Sequence, residues 1–206
     1  MDKRGKLMSA FEIRETPLRG AFVVEAFYAE DNRGSFAKYF EKDIFRSLGI
    51  DFELNETFVS TSARNVIRGM HFQLNAPQAK LVSVPKGRIL DVITDLRKNS
   101  DTFGKWTSVE LSSGNNCSLY VPRGFAHGFR ALENDTIVIY ECDGKYDKAT
   151  DTGIRYDDQD IGINWKTDSS DELIVSERDK CLMSFRDFQN NAINEFSNVI
   201  SFGGGT

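Results

Sequence analysis

The chain has 206 residues, 26 Lys and Arg against 31 Asp and Glu, a formal net charge of −5 and 40% apolar side chains. That apolar content fits one sizeable core, so residues 1–206 read as a single domain with its core over about 12–180, and 16 Phe exclude disorder for most of the chain. The negative balance disfavours nucleic-acid binding through a broad basic face, and no apolar run approaches the roughly 20 residues of a membrane span.

The opening Met1-Asp-Lys-Arg-Gly5 leads into no apolar signal core. Cys117, Cys142 and Cys181 are odd in number and form no CxxC pair, so they read as reduced thiols. A cytoplasmic protein without nucleic-acid or membrane partners is expected.

In chain order, short apolar or alternating segments predict strands over 21–26, 35–39, 55–62, 66–72, 79–84, 87–95, 106–111, 117–121, 124–131 and 136–142. Pro85-Lys-Gly87, Ser113-Gly-Asn-Asn116, Pro122-Arg-Gly124 and Glu133-Asn-Asp135 supply turns between them. This is the pattern of an all-β sandwich or barrel. Helix is expected at 42–48, stopped by Gly49, and near 187–198. After Trp165 the strand pattern weakens, and the polar Ser176-Glu-Arg-Asp179 begins a segment able to fold back on the barrel. The tail, 199–206, is expected to fray.

The sequence contains two histidines. His71 lies in Val66-Ile-Arg-Gly-Met-His-Phe-Gln73 and His127 in Val121-Pro-Arg-Gly-Phe-Ala-His-Gly-Phe129. Strand alternation puts His71 on a face with Gly69 and Gln73, opposite Met70 and Phe72. A buried neutral histidine on a backbone carbonyl is one reading of each; Arg68 and Lys80 nearby favour a site. A metal centre is disfavoured, because the ligand position two after His71 is Gln73 and the place for a carboxylate holds Lys80. Taken singly, Tyr140 reads equally as a core aromatic, Lys80 as a solvated edge lysine, Asp179 as a helix cap and Arg33 as a turn residue.

The ordered runs Ile67-Arg-Gly-Met-His-Phe-Gln73, Lys80-Leu-Val82, Gly87-Arg-Ile-Leu-Asp-Val-Ile-Thr-Asp-Leu-Arg97, Ser100-Asp-Thr-Phe-Gly-Lys-Trp106, Val121-Pro-Arg-Gly-Phe-Ala-His-Gly-Phe129 and Gly153-Ile-Arg-Tyr-Asp157 resemble the dTDP-4-dehydrorhamnose 3,5-epimerase family over about residues 12–180. The resemblance implies a cupin-type β jelly roll, a homodimer without metal or cofactor, and a nucleotide-diphosphate-linked 4-keto-6-deoxy sugar as substrate. Carried over by position, it implies His71 as general base, Asp179 as the carboxylate orienting it, Tyr140 as general acid and Lys80 as the cation beside the reacting carbonyl. His127 is placed in the same pocket and Tyr146 along its lining, Arg68 and Ser60 at the diphosphate, and Arg33 and Phe36 at the nucleotide of a neighbouring subunit.

The residue types suit that chemistry. A carbon beside a ketone loses its proton when a base is aligned with the C–H bond and the enolate oxygen meets preorganised positive charge. Inversion then needs a proton on the opposite face, which a phenol can donate.

Lys38 stands where the family usually has Glu, Glu56 and Phe58 where it has Gln and Asn, and Lys145 where it commonly has an aromatic. An ammonium cannot accept a base N–H, so the carrier is either dTDP read by other residues, which is favoured, or GDP, CDP or UDP. The rivals are a 3,4-ketoisomerase or single-centre epimerase, a non-catalytic nucleotide-sugar binding cupin, and a metal-dependent cupin dioxygenase.

Overall fold

The computed structural model describes residues 11–201, with side chains to Asn198. Fourteen strands, β1 to β14, run Glu12–Glu15, Phe22–Glu25, Phe27–Asp31, Gly34–Lys38, Glu56–Ser62, Val66–Gln73, Lys80–Lys86, Arg88–Asp95, Trp106–Ser112, Cys117–Val121, Phe125–Ala131, Thr136–Cys142, Asp151–Gly153 and Ile174–Val175. Helices α1 to α4 are Lys42–Ser47, Glu177–Lys180, Phe185–Asp187 and Ile193–Ser201, the last two joined by a π-helical turn at Phe188–Ala192. The frayed tail expected over 199–206 is helical as far as Ser201; residues 202–206 lie outside the described residues.

Two sheets face each other. One has the order β1-β2-β10-β7-β12-β5, the other β13-β6-β11-β8-β9, and the hairpin β3–β4 forms a small sheet of its own. This is the all-β architecture the strand pattern predicted and the jelly roll the family resemblance implied. The interior between the sheets is filled by Val82, Ile89, Ile93, Leu119, Phe129 and Val138 among others. The outer face of the second sheet is covered too: Ile67, Met70, Phe72 and Leu90 pack against Trp165, Phe185, Phe188 and Phe196. Strand β8 is therefore buried on both faces from Ile89 to Asp95, which takes Asp91, Thr94 and Asp95 out of water along with Ile89, Leu90, Val92 and Ile93. A third cluster seats Phe45 of α1, with Ile50 and Phe52, on Val24, Leu81 and Tyr120.

Strand β6 carries both Arg68 and His71, and its neighbours set where those side chains point. Its partner on one side is β11; its other edge is shared by β13, antiparallel at 71–73, and β14, parallel at 66–67. Between those two short strands the ladder is open at Gly69, the residue where the register with β11 slips. His127 faces His71, but Phe129 faces Arg68, so β6 carries one extra residue. Met70 and Phe72 do point away from the interior, as alternation predicts. The grouping of His71 with Gly69 is corrected: the bulge brings Arg68, three residues earlier, to the same side as His71.

Candidate active site

A cavity of about 570 Å³ opens between the sheets, lined by His71, Arg68 and His127 from one sheet and by Ser60, Lys80 and Tyr140 from the other. One wall comes from the segment after Trp165, which folds back as expected: β14 lies along β6, Ser176 caps α2 by accepting the Asp179 N–H at 3.1 Å, and α2 delivers Asp179 to the bulge. Asp179 Oδ1 lies 2.8 Å from His71 Nε2, and Oδ2 accepts the Gly69 N–H at 3.2 Å. The carboxylate thus takes the amide that the slipped ladder leaves free. Burial pushes the Asp179 carboxyl up, but the hydrogen bond and charge of His71 with the Gly69 and Ser176 contacts outweigh it and hold it below the usual value.

A second pair lies beside the first. His127 Nε2 is 2.7 Å from Asp91 Oδ1, with the histidine side chain 4% exposed and the carboxylate fully buried. Asp91 Oδ2 has no hydrogen-bond partner among the described residues. Burial drives the Asp91 carboxyl up, against the pull of His127 and Lys80. Sequence reasoning placed His127 but missed Asp91, although a carboxylate set between Leu90 and Val92 in β8 was a legible signal. Arg178, which lines the cavity rim and donates to Asp151 at 2.6 Å, was missed as well.

On the opposite sheet, burial lowers the pKa of the Lys80 ammonium, with Cys142, Asp151, Asp91 and Glu56 acting against it. The Tyr140 phenol is buried to 7% exposure. Desolvation pushes it well above the ordinary phenol value, Asp91 and Cys142 push the same way, and Ser60 and Arg68 pull back. Its ring is flanked by Phe58, stacked at 4.6 Å, and by the edge of His127 at 6.0 Å. Arg68 sits at the mouth, its guanidinium donating to Ser62 Oγ and the Thr61 carbonyl.

The structure does not bring every expected residue into this cavity. Arg33 is on the β3–β4 hairpin, 86% exposed and paired with Asp31 at 2.6 Å. Phe36 is 59% exposed, with its ring against Phe27. Tyr146 is 55% exposed and donates to Asp151 Oδ2 at 3.1 Å. None of the three lines the cavity of its own chain.

Gln73 is spent on structure: its amide nitrogen donates to the Ala76 and Lys145 carbonyls, and its oxygen accepts the Asp147 N–H. Among the described residues no three His, Cys, Asp or Glu side chains gather as a metal-ligand set. Of the positions that depart from the resemblance, Lys38 pairs with Glu41 at 2.6 Å, and Glu56 accepts from Gln78 and from the Tyr146 N–H. Both charges are neutralised or satisfied within the chain.

Two hydrogen-bonded imidazoles, an amine and a phenol facing one water-accessible space can move protons at a carbon and stabilise an oxyanion beside it. Comparison with known proteins points the same way. Residues 15–187 match the family model for dTDP-4-dehydrorhamnose 3,5-epimerase. An enzyme of that name from Methanothermobacter thermautotrophicus is 46% identical over 173 residues, 84% of this chain and 94% of its own. The dTDP-6-deoxy-D-glucose-3,5-epimerase of Legionella pneumophila, solved in complex with dTDP-4-keto-L-rhamnose, superposes with a TM-score of 0.84 at 30% identity, covering 91% of this chain and 97% of that one. A 3′-monoepimerase from Streptomyces bikiniensis, in complex with dTDP-quinovose, superposes at 0.80 with 29% identity, over 86% and 90% of the two chains.

Proposed function

The chain belongs to the dTDP-4-dehydrorhamnose 3,5-epimerase family, and from that premise we propose that His71 and Tyr140 invert C3, C5 or both of a dTDP-linked 4-keto-6-deoxy sugar from opposite walls of one cavity. The protein is an isomerase, an epimerase of nucleotide-linked 4-keto sugars. The observation that carries the residue roles is the placement of the Asp179-bound imidazole on one sheet and the buried phenol on the other, both facing the same 570 Å³.

In this reading the His71 ring nitrogen not held by Asp179 takes the proton from the carbon beside the ketone. The C–H electron pair forms a C=C bond to the carbonyl carbon and the C=O π pair moves onto the oxygen, giving an enolate. Lys80 and His127 meet the oxyanion, and Asp179 stabilises the imidazolium that forms. Tyr140 then donates its phenolic proton to the opposite face and regains one from solvent, while His71 returns its proton to water. A phenol whose burial disfavours ionisation stays protonated until that step, which suits a donor.

In this reading Arg68 and Ser60, both on the cavity lining, take the diphosphate. The exposure of Arg33 and Phe36 on a separate hairpin, away from their own cavity, supports a homodimer in which each hairpin completes the neighbouring site. Three free thiols suit a cytoplasmic setting, and no helix among the described residues is long and apolar enough to cross a membrane.

The test is solvent-deuterium wash-in at C3 and C5 of dTDP-4-keto-6-deoxyglucose in heavy water, with the GDP-, CDP- and UDP-linked sugars as comparators. The wild-type chain is expected to exchange and invert with dTDP, and His71→Ala to lose exchange at both carbons. Exchange persisting in His71→Ala overturns the base assignment; preference for another nucleotide overturns the carrier.

A further inference from the structure

Tyr140 and Phe58 are direct partners across β12 and β5, in a register unbroken from Thr136 to Cys142. Both side chains lie on the cavity side. Their rings are nearly parallel, 14° apart with centroids at 4.6 Å. On its other side the phenol ring meets the edge of His127 at 76° and the tilted ring of Phe129 at 6.5 Å. Tyr140 is thereby clamped between an aromatic layer inside and Phe58 outside. The clamp is unequal: Phe58 is 44% exposed and β5 is the outermost strand of its sheet, so Phe58 is the layer between the phenol and the mouth. Its inner face is turned onto the phenol ring, stacked at 4.6 Å, rather than to water. Here it covers the ring that, in the epimerase reading, gives the second proton.

Resting on that reading, we propose that Phe58 is a positioning residue for Tyr140, fixing the plane of the phenol and keeping water from its outer face so that proton delivery keeps pace with proton removal. Offset and parallel aromatic pairs are directional, which a Leu or Asn at the same place is not. The base lies on the other sheet and has its own orienting carboxylate, so Phe58 acts on inversion and not on abstraction. The charged and titratable groups facing Tyr140 are Asp91 from β8, Arg68 from β6, His127 from β11, Lys80 from β7 and Cys142 on its own strand, and a change at Phe58 leaves all of them in place.

The experiment compares epimer formed with deuterium exchanged into unepimerised sugar, for the wild-type chain, Phe58→Leu and Phe58→Trp. Phe58→Leu is expected to lower the ratio of inversion to exchange by about 2- to 10-fold, the range spanned by the coupling of an aromatic pair, with exchange itself unchanged; Phe58→Trp restores the ratio. An equal fall in both, or an unchanged ratio, overturns the proposal. A substrate-free measurement separates it from the epimerase reading. The Cζ resonance of Tyr140, identified as the one lost in Tyr140→Phe, should titrate above the ordinary phenol value of about 10 in the wild-type chain and closer to that value in Phe58→Leu. A resonance that behaves alike in both overturns the shielding, whereas absence of any wash-in by the wild-type chain would instead strike the epimerase reading.

Discussion

Asp179 is tied at three points, to the His71 ring, to the Gly69 amide and through its own N–H to Ser176. An imidazole held by a fixed carboxylate keeps one tautomer and one orientation, and its protonated form is stabilised. Asp179→Asn preserves shape but removes the charge; kcat is expected to fall by roughly 10²- to 10⁴-fold, measured as wash-in at either carbon. The same residue sets a stability prediction. Its carboxyl titrates below the ordinary value in the folded chain, so between that value and the unfolded value of about 3.9 the unfolded chain binds more protons. The stabilisation is complete above about pH 4 and disappears as pH falls through the folded value. Denaturant unfolding should therefore show the wild-type chain more stable than Asp179→Asn at pH 7, with the two converging in acid.

At the level of the elements, the close approach of β6 and β11 is what lets two histidines stand opposite each other. A Cβ on Gly128 would meet the Arg68 carbonyl oxygen at 2.7 Å and Met70 Sδ at 2.8 Å, so no side chain fits between the strands there. Gly128→Ala is expected to destabilise the fold by about 1–3 kcal/mol, as overpacking does, and to reduce activity beyond that because it displaces the His71–His127 pairing; denaturant midpoints and turnover check the two effects separately. The strands themselves were legible in the sequence, since β7 to β12 alternate or run apolar between clear turns. The strands missed are β1, β3, β13 and β14, each five residues or fewer and paired on one side only, where burial leaves little pattern.

Of the site, the motif residues around His71, Lys80, His127 and Tyr140 were readable. The bulge was not, because period-two alternation carries no mark of one extra residue. Nor was the bearing of Asp91 on His127, which depends on sheet register alone. The segment from Trp165 to Asp179 has no periodicity to read; it is held by point contacts, notably Arg130, whose buried guanidinium donates to the Trp165 and Lys166 carbonyls and to Asp171.

For the molecule as a whole, the hairpin bearing Arg33 and Phe36 predicts sites shared between subunits. Arg33→Ala and His71→Ala chains should each be inactive alone. Mixed one to one under conditions that exchange subunits, they should recover about a quarter of wild-type activity, because half the dimers are hybrids and one of the two sites in each hybrid has both residues intact. No recovery, with exchange verified by mass, would place Arg33 outside the neighbouring site.

The contact between His71 and Asp179 spans 108 positions. During synthesis the histidine leaves the ribosome long before its carboxylate exists, and loops of that length close late because their ordering entropy must first be offset by other structure. The two sheets can thus pair and bury their shared interior while the base is still unaligned. Full competence for proton transfer therefore waits on docking of the segment that carries Asp179, so a chain folded without that segment would alter a bound sugar nucleotide far more slowly.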